Sequence, residues 1–205
     1  MHNLKFQLAD LISLNNDEGV EPRLTLLWID DEGITGEVSL IIAKQREFFA
    51  QNFFYNNLSA FDTVEQLVKD IDTMQLASPP ADHQLNLFIS NASDLFVNKD
   101  SRRLHELRNY AVERNFHIIL LLRSPIHRHN YSMFTTPRDF DTWLSNENTR
   151  HAQQCDIVAH VVCAGPKIMA YRTKARGKGE DAECVVMQGR TAPEYAKAKT
   201  VELED

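Results

Sequence analysis

Residues 24–33, LTLLWIDDEG, set an unbroken apolar run against a triplet of acids. A strand with one face in water alternates apolar and polar residues; a run without that alternation suits a strand buried on both faces of a parallel sheet. Working outward, similar runs recur at 85–90 (LNLFIS), 116–124 (FHIILLLRS) and 156–162 (DIVAHVV). Between them lie segments with apolar residues at helical spacing: VSLIIAKQREFFAQN at 38–52, VEQLVKDIDTM at 64–74 and DSRRLHELRNYAVERN at 100–115. In the second of these Val64, Leu67, Val68 and Ile71 form one stripe, with Asp62 or Thr63 placed to cap it. A further short strand is expected within FFYNNLSAF at 53–61, and the paired prolines of ASPPADH at 77–83 require a loop. Strands alternating with helices predict an α/β fold built on a doubly wound, mostly parallel sheet flanked by helices.

The ends are of other kinds. KIMAYRTKARGKGEDAECVVM, residues 167–187, predicts two strands joined by a turn around Gly177 and Gly179, a C-terminal antiparallel hairpin. QGRTAPEYAKAKTVELED, 188–205, is a polar tail, leaving residues 1–187 as a single domain. Residues 1–22 fit a short helix or a strand, closed by the turn formers NNDEGVEP.

Composition narrows the function. A chain of 205 residues, 43% hydrophobic and 25% charged, has the makings of one packed core and is not a disordered chain. No apolar run approaches the ~20 residues of a membrane span, and MHNLKFQLAD lacks the basic-then-apolar order of a signal peptide, so a cytoplasmic protein with no membrane partner is expected. Cys155, Cys163 and Cys184 form no CxxC pair, in keeping with a reducing compartment. A net charge of −7 excludes a protein that coats nucleic acid over its whole surface, but leaves room for a local basic face.

From Leu24 to Met187 the succession of segments resembles the core of the RecA and replicative-helicase group of ATPases. LLWIDDEG is similar to the strand that ends in that group's catalytic glutamate, which implies Glu32 for that role. LNLFISN falls where the Walker B strand belongs, and HIILLLRSP where a strand ends in a polar sensor, at Arg123 or Ser124. Residues 125–150 match the DNA-binding loop in place, and AYRTKARGKGEDAECVVM is similar to the hairpin that offers basic residues to a neighbouring subunit's nucleotide, here Arg172 and Lys174. The departures matter as much. A phosphate cradle needs GxxxxGK[ST], so that backbone N–H groups close on the phosphates and lysine and hydroxyl reach phosphate and magnesium; the seven glycines of this chain are nowhere so arranged, and the stretch upstream of Leu24, where the cradle is expected, is ordinary. Ser90 stands where the magnesium-orienting aspartate belongs. The resemblance thus implies a non-enzymatic relative with Glu32 as a relic acid, no bound cofactor, and assembly with itself or with an active RecA-like ATPase.

A second resemblance competes with it. LTLLWIDDEG is also similar to the first strand of response-regulator receiver domains, with Ser90 in place of the phosphorylated aspartate, Ser124 as the switch hydroxyl and Lys167 as the lysine of the last strand. That reading implies a signalling module that binds a protein.

Two constellations carry binding chemistry. Between 123 and 150, Arg123, His127, Arg128, Arg138 and Arg150 are interleaved with Tyr131, Phe134 and Trp143, the mixture of cations and aromatic faces that holds single-stranded nucleic acid. The plain alternative is a lid packed on its own domain. Lys167, Arg172, Lys174, Arg176 and Lys178 then form a run without acids, and on a regular strand the last four share one face, a ladder for an anion or a partner subunit. The plain alternative there is an edge strand protected by charge. His127, His129, His151 and Cys155 lack the tight pairing of a structural zinc site, so no metal is expected, and no Ser/His/Asp or Cys/His arrangement supports nucleophilic catalysis.

Overall fold

Leu24–Ile29 forms strand β1, and all six of its residues are buried. The computed structural model describes residues 12, 21–29, 50–55, 61–77, 79, 83–90, 92–97, 99–123, 153–164, 167–175 and 183–187. After β1 come β2 (Ala50–Tyr55), α1 (Val64–Thr73), β3 (Gln84–Ile89), α2 (Ser93–Val97), a 3₁₀ turn (Asp100–Arg103), α3 (Leu104–Arg114), β4 (Phe116–Arg123), β5 (Ile157–Ala164), β6 (Lys167–Ala175) and β7 (Glu183–Met187). They make one seven-stranded sheet in the order β2-β3-β4-β1-β5-β6-β7. Strands β2 to β5 pair in parallel with their neighbours through β1, while β5 pairs with β6 and β6 with β7 in antiparallel fashion.

The apolar runs are strands because both of their faces are covered. Leu24, Leu26 and Trp28 share a face with Leu85, Leu87 and Ile89 of β3 and with Phe116, Ile118, Leu120 and Leu122 of β4. Against that face pack Val64, Leu67 and Ile71 of α1 and Leu104, Leu107 and Ala111 of α3. Each such side chain taken from water stabilises the fold by roughly 1.5–3 kcal/mol if large. On the opposite face Leu27, Ile29, Phe88, Ile119, Leu121, Ile157, Ala159 and Val161 are buried as well. A row of polar groups crosses that second face. Thr25, Asn86 and His117 are each fully buried; His117 Nε2 lies 2.8 Å from the Thr25 hydroxyl and its Nδ1 lies 3.2 Å from Asn86 Oδ1. With the amide oxygen accepting, Nδ1 carries the proton and Nε2 accepts from the hydroxyl, so His117 is a satisfied core imidazole.

At the amino end of the sheet one carboxylate ties three elements together. Asp156, just before β5, accepts from the N–H groups of Arg23 (2.9 Å) and Leu24 (3.2 Å) at the start of β1. It also accepts from the Arg108 guanidinium of α3, through Nε at 3.1 Å and Nη2 at 3.0 Å. Burial works to push this carboxyl up, but the guanidinium and the two N–H donors together hold it below the usual carboxylate range.

The sheet order corrects two sequence readings. A receiver domain has the order 2-1-3-4-5, with the first strand beside the second and third. Here β1 lies between β4 and β5, and β4 is inserted between β1 and β3. The receiver alternative is therefore excluded, and the chain has a mostly parallel, helix-flanked α/β architecture, as the RecA-like reading expects. The RecA-like resemblance also implies that Leu24–Ile29 is a later strand, with the cradle region ahead of it; its pairing instead makes it the central strand of the parallel set, with the sequence DDEGITGEV following it directly.

Candidate functional site at the carboxyl edge of the sheet

Open α/β sheets bind ligands outside the carboxyl ends of their parallel strands. In this chain the edge is formed at its centre by Ile29 of β1 and Arg123 of β4, which are register partners, and by Ser90, the residue that follows β3. Arg123 is exposed and Ser90 half-buried. The backbone N–H of Arg123 donates to Ser93 Oγ at 2.9 Å, which ties the end of β4 to the start of α2. That five-residue helix folds back on the edge: Leu95 is fully buried, and the Phe96 ring meets Trp28 of β1 edge-on, 5.5 Å between centroids. Trp28 in turn lies nearly parallel to His160 of β5, at 6.4 Å and 7°. Burial pushes the His160 imidazole down to about 3, so at neutral pH it is an uncharged part of the core and a poor proton acceptor.

The amino end of α1 follows β2 onto the same edge. A helix start presents free N–H groups and a positive dipole end, a natural place for an anion. Here the chain supplies its own acceptors. Thr63 Oγ1 accepts from the Gln66 N–H at 3.1 Å, and the Asp100 carboxylate accepts from the Val64 N–H. Two N–H groups of the first turn are thereby satisfied from within, and Thr63, not Asp62, is the capping residue. Among the described residues no group of three or more His, Cys, Asp or Glu is placed to hold a metal ion.

Of the residues singled out from sequence, Arg123 lies at the centre of this edge. Lys167, Arg172 and Lys174 fall on β6, described by its backbone course. Glu32, His127, Arg128, Tyr131, Phe134, Arg138, Trp143, Arg150, Arg176 and Lys178 lie outside the described residues, as does the tail 188–205. The register shows how the two basic regions relate. Arg123 is level with Ile29, Ile29 with Val161, and Val161 with Ala170. Lys167, opposite Ala164, is therefore about 10 Å further toward the carboxyl side, whereas Arg172 and Lys174, opposite Ala159 and Val158, lie about 7–10 Å toward the amino end, at ~3.3 Å per residue.

Two features of β6 depart from a plain alternating ladder at an edge. The register shifts between Val158 and Ala159, leaving Thr173 as an extra residue between Lys174 and Arg172. β6 is also an interior strand, covered by β7, where Glu183 is the register partner of Arg172. The edge-strand alternative is thus corrected for β6. What sequence reasoning missed is α2, a single turn too short to show a period, and the Asp100 cap, which lies 36 residues from the N–H it serves.

No protein-family model matches the chain, and no curated protein matches it. Among solved structures it is similar to the cytoplasmic domain of the Thermomonospora curvata type VII secretion ATPase EccC, at 14% identity and a TM-score of 0.42, covering 83% of this chain and 24% of that one. It is similar at the same identity and TM-score to ATPases 2 and 3 of T. curvata EccC in complex with a signal sequence peptide, covering 83% of this chain and 37% of that one. C. elegans PCH-2 follows at 13% identity and a TM-score of 0.37, covering 75% and 38%. The chain spans between a quarter and two fifths of the length of these structures. The strand order, with β4 between β1 and β3, makes the fold a mostly parallel α/β sheet. Among the described residues no helix is long and apolar enough to cross a membrane.

Proposed function

We propose that this chain is a non-hydrolysing member of the RecA-like class that works as an interaction subunit, contacting single-stranded nucleic acid through the cations that begin at Arg123 and assembling with itself or an active RecA-like ATPase. The observation that carries the reading is Ser90. It follows β3 at the carboxyl edge, one strand from β4 and two from β1, where phosphoryl transfer needs an acid to orient magnesium and its water. A serine hydroxyl has no charge to offset the ion there. With β1 central, the cradle position in chain order is the segment just after it, and DDEGITGEV supports the same reading: Gly36 is followed by Glu37 and Val38 in place of lysine and a hydroxyl residue. A carboxylate in the lysine's place repels phosphate instead of gripping it. Losing even one comparable electrostatic contact slows such chemistry by about 10²-fold or more.

With phosphate handling gone, the cationic and aromatic residues are the groups left with binding chemistry. The stretch 124–150 follows Arg123, which lies on the carboxyl edge, and from Arg123 to Arg150 four arginines are interleaved in sequence with aromatic residues. Cations on a phosphate backbone make affinity fall with salt, and aromatic stacking adds ~1–3 kcal/mol per base. The test is filter binding of a single-stranded oligonucleotide at about 50 and about 200 mM salt. Binding that weakens at the higher salt is expected, with a shallower salt slope for the Arg123→Gln, Arg128→Gln, Arg138→Gln variant by about one unit per lost phosphate contact. Binding that is absent, or indifferent to salt, removes nucleic acid from the account.

A further inference from the structure

We draw no further inference here: the strongest candidate, the outer edge of strand β2 (Ala50–Tyr55), an uncharged strand at one margin of the sheet, carries nothing because nothing in the structure shows what covers it.

Discussion

Asp156 is the residue on which three elements converge, and its replacement should separate two kinds of loss. In Asp156→Ala the N–H groups of Arg23 and Leu24 and the Arg108 guanidinium all lose their acceptor at a site where the carboxylate is only 3% exposed. Removing one partner of a buried charged pair costs about 3 kcal/mol or more. Arg108→Ala leaves the carboxylate its two main-chain donors, so a loss of about 1–2 kcal/mol is expected. Urea unfolding of both variants checks this; equal losses would mean that the guanidinium, not the main-chain pair, is what the carboxylate serves. His160 makes the second residue-scale prediction. Folded, its imidazole stays neutral down to about 3; unfolded, it takes a proton near 6.5. The unfolded chain therefore binds the extra proton between those values, and the contribution of this group is fully present above 6.5 and lost as pH falls toward 3, at up to ~1.4 kcal/mol per pH unit. Asp156, held low in the fold, adds a loss that sets in only as pH falls below the ordinary carboxylate range. His160→Gln should flatten the wild-type decline over the upper part of that window when stability is measured by urea titration at stepped pH; an unchanged slope would contradict the burial argument. Neither residue advertises this in one dimension. Asp156 stands 48 positions from Arg108, and His160 reads as one more residue of an apolar run.

At the scale of elements, what local chemistry encodes was legible and what distant parts supply was not. The stripe Val64, Leu67, Ile71 is buried as its spacing requires, and β1, β3 and β4 lie where unbroken apolar runs place them. β2 begins at Ala50, three residues ahead of the FFY expected to open it, because that stretch also continues an apolar helical pattern and periodicity alone does not divide the two. The apolar spacing over 100–115 predicts one helix. The segment is a 3₁₀ turn followed by α3, and Lys99 ahead of it has φ of 62°, a left-handed backbone that no residue type there announces. The double cap of α1 is the testable part. Thr63→Ala removes the acceptor for the Gln66 N–H and Asp100→Ala the acceptor for the Val64 N–H. Each should cost about 1 kcal/mol, and because the two serve different donors the double variant should lose close to the sum. Thermal or urea unfolding of the three variants reads the coupling; a double variant no worse than either single one would show that the two caps act as one unit, so that losing either forfeits both.

At the scale of the whole molecule, alternation of strand and helix predicted an α/β sheet but did not rank its strands. The receiver and RecA-like readings share every apolar run up to Arg123, and only long-range pairing distinguishes them: Leu24 lies opposite Ile118 and Thr25 opposite Ile157, contacts that no local pattern records. The candidate site was legible in part. Ser90 and Arg123 both lie at the carboxyl edge as expected, whereas the cations of β6 run from Lys167 down toward the amino end, across a register shift, so they do not gather around Arg123. The central claim is that this α/β sheet does not cleave phosphoanhydrides, and phosphate release from ATP and magnesium by the purified chain tests it most directly. The account predicts release no faster than in a blank without protein; any magnesium-dependent turnover by the purified wild-type chain above that blank would contradict it.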